Sequence, residues 1–383
     1  MTVELRPLGV KCNLSCSYCY QESVRENSKP NKYNVEKMLV EAEKTNQPFS
    51  LFGGEALLVP KRDLNIFFNR GFELFGVNSI QTNGTLIDDE HIEMFKKYNV
   101  FVGVSIDGPD ELNSLRFFNS ETETLAQTKK TIENIYKLRK NNIETAVIIT
   151  LHRMNTDNGR INKLKEFILQ LKEIGIKNGS IHFLEVDSTM KDFDQVLTEE
   201  ENKRYFLELA EFFENYQELN YSPFDDMKKM VSGNFENTSC IWNRCDFLNT
   251  QSVYGIDGDG GLSNCGRTNK EGIEWYKVDN NSYERYISLY HFPQEYGGCG
   301  GCRFFLLCGG GCPGEGVDND LRNKTIHCST KQSLFEFYES KLEENNILPF
   351  TKSDKIKLYE QITIDGFMRR ENIPMEYILK ERR

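Results

Sequence analysis

Short β-rich runs alternate with helical patterns through the first half of the chain. Leu5–Val10, Phe49–Phe52, Ser79–Thr82, Val100–Ile106, Thr145–Leu151 and Ile181–Val186 read as strands. Between them Val35–Lys44, Leu64–Phe75, Asp88–Tyr98 and Ile161–Ile174 carry apolar residues at helical spacing. Acidic residues open the Asp88 helix, where the helix dipole favours them. Thr124 with Gln127 predicts a capping box for a helix to about Asn141, and Thr198 with Glu201 predicts another for a helix to about Leu219. The pattern amounts to six β/α units, whereas a closed eight-unit barrel usually takes about 250 residues. The predicted fold is therefore α/β: a partial six-stranded parallel barrel. In such barrels the chemistry sits at the C-terminal strand ends. Residues 12–19, Gly53-Gly54-Glu55, Gln81–Gly84 and Ser105–Pro109 all follow strands and are expected to face one mouth.

Composition narrows the setting. The 383 residues, 38% of them hydrophobic, are enough for a sizeable core or two domains. A net charge of −11 with no basic tract argues against a nucleic-acid surface. No apolar run approaches the ~20 residues of a membrane span, and Met1–Val10 has no signal-peptide h-region. No membrane is expected as a partner, and the expected location is the cytoplasm.

Eleven cysteines are many for a reducing compartment, and they are unevenly placed. Cys12, Cys16 and Cys19 come first, the next 220 residues have none, and eight fall between Cys240 and Cys328. Grouped cysteines in that setting read as metal ligands rather than disulfides. The Cys-x3-Cys-x2-Cys triplet can hold three irons of a [4Fe–4S] cube and leaves the fourth open to a small molecule. Zinc is the alternative, but zinc prefers four protein ligands in paired spacings.

With Tyr18 before its last cysteine, the triplet resembles the signature of the radical S-adenosylmethionine (radical SAM) superfamily. That resemblance implies that S-adenosylmethionine binds the open iron through its amino and carboxylate groups. Gly53-Gly54-Glu55 resembles the motif that receives the methionyl ammonium. Ser105 and Arg116 resemble the residues that hold ribose and carboxylate, with Asn83 and Asp107 as further candidates on neighbouring strand ends. The implied chemistry is a 5′-deoxyadenosyl radical that takes a hydrogen atom from substrate.

The later cysteines follow a second pattern. Cys245 is followed after fourteen residues by Gly260 and after four more by Cys265; then come Cys299-x2-Cys302-x5-Cys308-x3-Cys312 and Cys328. This resembles the SPASM domain of peptide- and protein-modifying radical enzymes. A zinc ribbon around Cys299-x2-Cys302 is the alternative reading. As in the anaerobic sulfatase-maturing enzymes, the resemblance implies Cys240, Cys245, Cys265 and Cys312 on auxiliary cluster I. It places Cys299, Cys302, Cys308 and Cys328 on auxiliary cluster II. Three [4Fe–4S] clusters then use every cysteine. That count weighs against epimerisation with a spare thiol and against thioether formation at an open auxiliary site. Two closed clusters favour a net two-electron oxidation of substrate. In the sulfatase-maturing subfamily an aspartate base directly follows the third cluster-I cysteine; here Gly266 and Arg267 follow Cys265. Candidate bases are Asp257, Asp259, Glu185, Asp187, His182 and Tyr254. Strand parity puts His182 and Glu185 on opposite faces, so at most one is expected to point into the barrel.

The expected domains are the barrel at 1–186, a helical bridge at 187–239, the SPASM region at 240–330 and a C-terminal helical segment at 331–383. The expected function is oxidative intramolecular cross-linking of a ribosomally made peptide. The alternatives are oxidation of a Ser or Cys residue in a protein, thioether formation, epimerisation, or a non-catalytic electron-transfer role. Expected partners are the precursor peptide and a reductase such as flavodoxin or ferredoxin. Leader recognition is expected to fall to a separate leader-binding protein, to the 187–239 bridge or to the C-terminal region, because the first strand begins within about five residues of Met1.

Overall fold

The computed structural model describes residues 2–27, 32–186, 193–238, 245, 253–268 and 283–380. It forms two compact units. The first comprises Met1–Leu197, Glu218–Tyr221 and Val253–Tyr276, and the second Thr198–Gln217, Ser222–Ser252 and Lys277–Arg383.

The first unit is a partial β/α barrel. Its parallel strands are β1 (Thr2–Arg6), β2 (Phe49–Leu51), β3 (Asn78–Thr82), β4 (Val100–Ser105), β5 (Thr145–Thr150) and β6 (Asn178–His182), paired in chain order. Three further strands extend the sheet. β7 (Asn220–Ser222) lies beside β6, and β8 (Val253–Asp257) pairs parallel with β1. β9 (Leu262–Ser263) then pairs antiparallel with β8. The β8 strand falls within the 240–330 stretch assigned to the SPASM region, yet it packs with the barrel unit. The helices of this unit are α1 (Glu22–Asn27), α2 (Val35–Glu43), α3 (Lys61–Phe75), α4 (Asp89–Lys97), α5 (Glu121–Lys140), the single turn α6 (Arg153–Thr156) and α7 (Arg160–Glu173).

The register sorts the side chains into two faces, because alternate residues of a strand point to opposite sides. Val3, Leu5, Phe49, Leu51, Ile80, Val102, Val104, Val147, Ile149 and Ile181 share one face and are buried. Each such side chain contributes roughly 1.5–3 kcal/mol. The opposite face carries Glu4, Arg6, Ser50, Gln81, Gly103, Ser105, Ile148, Thr150, Ser180 and His182. An inner face this polar, around a barrel too short to close, leaves an interior that can be used for binding.

Three expected boundaries moved for identifiable reasons. β1 stops at Arg6 rather than Val10, since Pro7 has no amide with which to continue the ladder. β6 ends at His182 rather than Val186 because its partner β5 ends opposite, at Thr150. The α5 cap is Ser120, whose side chain accepts from the Glu123 amide. Thr124 is buried inside the helix and its hydroxyl donates to the Ser120 carbonyl at 2.7 Å. The Thr198–Glu201 capping box forms as expected, and its helix ends at Glu214.

The second unit contains α8 (Glu199–Glu214), α9 (Phe224–Val231), α10 (Glu284–His291), the short α11 (Phe305–Cys308), α12 (Cys328–Glu344), α13 (Ile356–Met368) and α14 (Met375–Lys380). α12 packs against α8 and α9. Phe213 and Phe224 bring their rings to 4.9 Å, and Phe304 stacks on Phe335 of α12 at 5.2 Å. Tyr283, Tyr286, Leu289, Phe305, Ile364 and Phe367 form a second cluster that reaches Cys299. Among the described residues no helix is long and apolar enough to cross a membrane.

Candidate functional site

A cavity of about 210 Å3 opens at the C-terminal ends of the barrel strands. Cys12, Cys16 and Cys19 line it from the loop after β1. Gly53 and Gly54 line it after β2, Gln81 and Asn83 at the end of β3, and Ser105 at the end of β4. Arg116, Ile148, Thr150, His182 and Arg267 also line it. The four post-strand segments expected at one mouth therefore meet there.

The cysteine loop has no regular structure of its own and is held by its neighbours. The Gly54 amide donates to Gly9 O at 2.9 Å, and the Glu55 amide donates to Lys11 O at 2.8 Å. A Cβ on Gly54 would lie 2.3 Å from Lys11 O and 2.4 Å from Val10 O. Gly54→Ala is accordingly expected to cost about 1–3 kcal/mol by overpacking and to lower iron incorporation. Thermal melting and iron analysis check it; an unchanged melting temperature would mean that the loop relaxes freely.

Donors point at the sulfurs. The Leu14 amide lies 3.4 Å from Cys12 Sγ, and Arg25 Nη2 of α1 lies 3.5 Å from Cys19 Sγ. Arg25 also donates to Val10 O and Leu14 O, so it clamps the loop from both sides. Asn83 Nδ2 donates to Asn13 Oδ1 at 2.8 Å, and Asn13 in turn donates to Thr85 Oγ1 at 2.9 Å. Burial pushes the Cys12 and Cys16 thiols up, against the pull of the Leu14 amide at Cys12 and Arg116 at Cys16. Buried thiols with donors already aimed at them suit thiolates whose negative charge is balanced by bound iron. Arg25, Asn13 and Thr85 carried no signal in the sequence, because their partners lie on other loops.

Two motif residues stand behind the cavity wall. Glu55 is 1% exposed, and its carboxylate accepts from the Leu57 amide, Thr82 Oγ1 and the Asn83 amide at 2.9, 2.7 and 2.7 Å. It caps a short turn and ties the end of β2 to the end of β3. Burial raises its pKa, opposed by those three hydrogen bonds. Asp107 is fully buried. It accepts from Arg116 at 3.0 and 3.1 Å, from the Thr150 amide at 2.9 Å and from the Tyr18 hydroxyl, with His152 Nε2 at 3.5 Å. Burial opposes its ionisation, but Arg116, then His152 and Tyr18, hold the carboxyl well below the usual range. Asp107 thereby orients Arg116 and Tyr18, both of which line the cavity.

The candidate bases separate. Tyr254 lies on the outer face of β8 and donates to Glu41 of α2 at 3.0 Å, away from the cavity. Asp257 is on the inner face beside Arg6 and accepts from Ser263 Oγ at 2.9 Å; burial raises its pKa. Asp259 closes the β8–β9 turn by accepting from the Gly261 amide. Strand parity does not relate His182 to Glu185, because β6 ends at His182 and Glu185 belongs to the following loop; of the two, His182 lines the cavity. Arg267 joins the two: Nη1 is 3.0 Å from Glu185 Oε1, and Nη2 meets His182 Nδ1. With Nδ1 accepting, the proton of the neutral imidazole sits on Nε2, 2.8 Å from Ser180 Oγ. Asp187 and Cys240 lie outside the described residues.

Residues 7–168 match the family described as the Radical SAM superfamily. That stretch of the chain is a radical SAM domain. It is similar to a cysteine-type anaerobic sulfatase-maturating enzyme of Clostridium novyi (strain NT), with 24% identity over 89% of this chain and 96% of that one. Native anSMEcpe with bound AdoMet and Cp18Cys peptide shares the fold, with a TM-score of 0.70 and 20% identity over 90% of this chain and 99% of that one. Streptococcus suis SuiB bound to precursor peptide SuiA shares it at a TM-score of 0.54 and 15% identity, over 86% and 75% of the two chains.

The remaining described cysteines fall in both units. In the barrel unit, Cys265 follows β9, and Arg6 holds that loop by donating to Asn264 O at 2.7 Å. In the second unit the Cys245 carbonyl accepts from the Tyr286 hydroxyl, and Cys312 is buried. Cys299, Cys302, Cys308 and Cys328 line one small cavity. Burial pushes the Cys308 thiol up to about 12, with the Lys331 ammonium acting against it. Four thiols around one cavity, with Gln332 Nε2 donating to Cys302 Sγ at 3.5 Å, fit a cluster with four thiolate ligands.

Proposed function

We propose that this protein is a radical SAM maturase that uses S-adenosylmethionine and three [4Fe–4S] clusters, carries out a net two-electron oxidation of a residue in a ribosomally made peptide and closes it as an intramolecular cross-link. In this reading Cys12, Cys16 and Cys19 hold the first cluster, and Cys299, Cys302, Cys308 and Cys328 hold a second. Cys240, Cys245, Cys265 and Cys312 hold the third. When bound, S-adenosylmethionine and the first cluster supply the hydrogen-abstracting radical. Gly53, Gly54, Ser105 and Arg116 bind and orient the cofactor, and Asp107 keeps Arg116 in place. Precursor peptide and an electron-donating reductase are the expected partners.

The observation that carries the cross-linking reading is the residue pair after Cys265. Gly266 has no side chain to act as a base, and a Cβ there would meet Gln21 Nε2 at 2.8 Å and Tyr20 Cε2 at 3.2 Å, so a carboxylate would have to displace the Gln21 side chain. The next residue, Arg267, presents a cation to the cavity, and its contact with His182 occupies the imidazole nitrogen that would otherwise accept a proton. Such a wall suits a reaction in which a neighbouring X–H group captures the substrate radical to form a C–X bond, its proton passing to solvent and the remaining electron to an auxiliary cluster. Kinship with the Clostridium novyi enzyme favours the second reading, oxidation of a Ser or Cys residue in a protein.

Anaerobically reconstituted protein is expected to carry about twelve irons per chain and, when reduced, to form 5′-deoxyadenosine from S-adenosylmethionine. Co-expression with a short peptide encoded beside the gene, followed by mass spectrometry, tests the reaction. Loss of two hydrogens supports the cross-link. An aldehyde at a Ser or Cys supports the second reading, and altered chirality at constant mass would sink both.

A further inference from the structure

The cavity lined by Cys299, Cys302, Cys308 and Cys328 also has a charged wall. Lys331 lines it although the residue is only 2% exposed. Its Nζ donates to Glu315 Oε2 at 2.8 Å, and Thr325 Oγ1 donates to the same oxygen at 2.9 Å. Glu315 is itself buried, so the pair is held away from water on both sides. The lysine of this pair lines the cysteine cavity, and the glutamate is absent from the cavity wall. Space for the ammonium comes from Gly311, where a Cβ would lie 2.9 Å from Lys331 Nζ. Cys328 opens α12, and Lys331 and Gln332 follow in its first turns, so the positive end of the helix faces the same cavity. Lys324 adds a second cation to the wall.

A buried cation is expensive to keep, and an apolar side chain of similar length would fill the same space at no electrostatic cost. The charge therefore has work to do on whatever occupies the cavity. A cluster with four thiolate ligands becomes more negative on reduction, and a fixed cation beside it stabilises the reduced form. We propose that Lys331, set by Glu315, raises the reduction potential of the cluster held by Cys299, Cys302, Cys308 and Cys328, making it the electron acceptor. Lys331 acts through its field and touches no substrate. The inference rests on the cluster assignment proposed above.

The test uses the full chain in a Cys12→Ala background, which removes the first cluster and leaves the two auxiliary signals. Potentiometric titration followed by electron paramagnetic resonance reads both midpoint potentials, and iron analysis is expected to give about eight irons per chain. Lys331→Met is expected to lower one potential by at least a tenfold change in the one-electron equilibrium, about 59 mV, and to leave the other in place. Glu315→Gln keeps the lysine and removes its counter-charge, so the same potential is expected to rise. If Lys331→Met loses iron, the sign of the Glu315→Gln shift decides. Full iron with neither potential moved, or both variants shifting in one direction, overturns the tuning role. About four irons in the Cys12→Ala parent would instead overturn the cluster assignment.

Discussion

Cys12→Ala is expected to reduce 5′-deoxyadenosine formation to the level seen without enzyme. Iron should fall from about twelve to about eight per chain. Cys12 Sγ is the acceptor for the Leu14 amide and faces the same cavity as Cys16 and Cys19. Two remaining thiolates cannot hold a cube with one open iron, so the radical source is lost. The sheet should survive, because its buried face is built from residues such as Leu5, Leu51 and Val102, and Cys12 takes no part in it. Circular dichroism should therefore match the parent while cleavage disappears. Retained cleavage of S-adenosylmethionine would remove the triplet from the chemistry.

Asp107→Asn is expected to have the largest effect on stability. The substitution leaves Arg116, with a side chain only 11% exposed, without its bidentate partner. Removing one member of a buried pair costs about 3–5 kcal/mol, a large part of the roughly 5–15 kcal/mol that holds a typical domain together. The pH dependence follows from the sign of the shift. Asp107 is held well below the ordinary carboxylate range by Arg116, with help from His152 and Tyr18, against burial. A depressed carboxyl contributes stability that is fully present above its unfolded pKa of about 3.9 and is lost as pH falls toward the folded value. The parent should therefore lose this increment below about pH 4, while the Asn variant, lacking the titrating group, should be weaker at neutral pH and fall less on acidification. Thermal melts of the holoprotein at neutral and acidic pH measure both. Equal melting temperatures at neutral pH would show that the pair is not needed for the fold. Since Arg116 and Tyr18 both line the cavity, weaker binding of S-adenosylmethionine should accompany the loss of stability.

Much of the barrel was legible because its signals are local. The six strands and their helices follow from β-rich runs, helical spacing and caps, each contained within a few neighbouring residues. Errors fell where a distant partner set the boundary: β6 stops where β5 stops, whatever apolar residues follow. The same holds for the site. Cysteine spacing needs no partner, so the triplet and the second cysteine group could be found by counting. Glu55 and Asp107 could be found as motif residues, but not their hydrogen-bonding roles behind the cavity wall. Tyr254 looked as plausible a base as Asp257 until the β1–β8 register put them on opposite faces.

The sequence by itself determined the resemblance to the radical SAM superfamily and the β/α units of the barrel, because both depend on residue types at short spacings. Tertiary structure decided what those residues face. Pairing β8 with β1 brought Cys265 and Arg267 into the barrel unit, from a stretch more than 200 residues away in the chain. The fold likewise joined Arg267 to Glu185 and His182, and set Lys331 beside four cysteines. Charge acts through space, and no spacing along a chain records which cation will stand beside which sulfur.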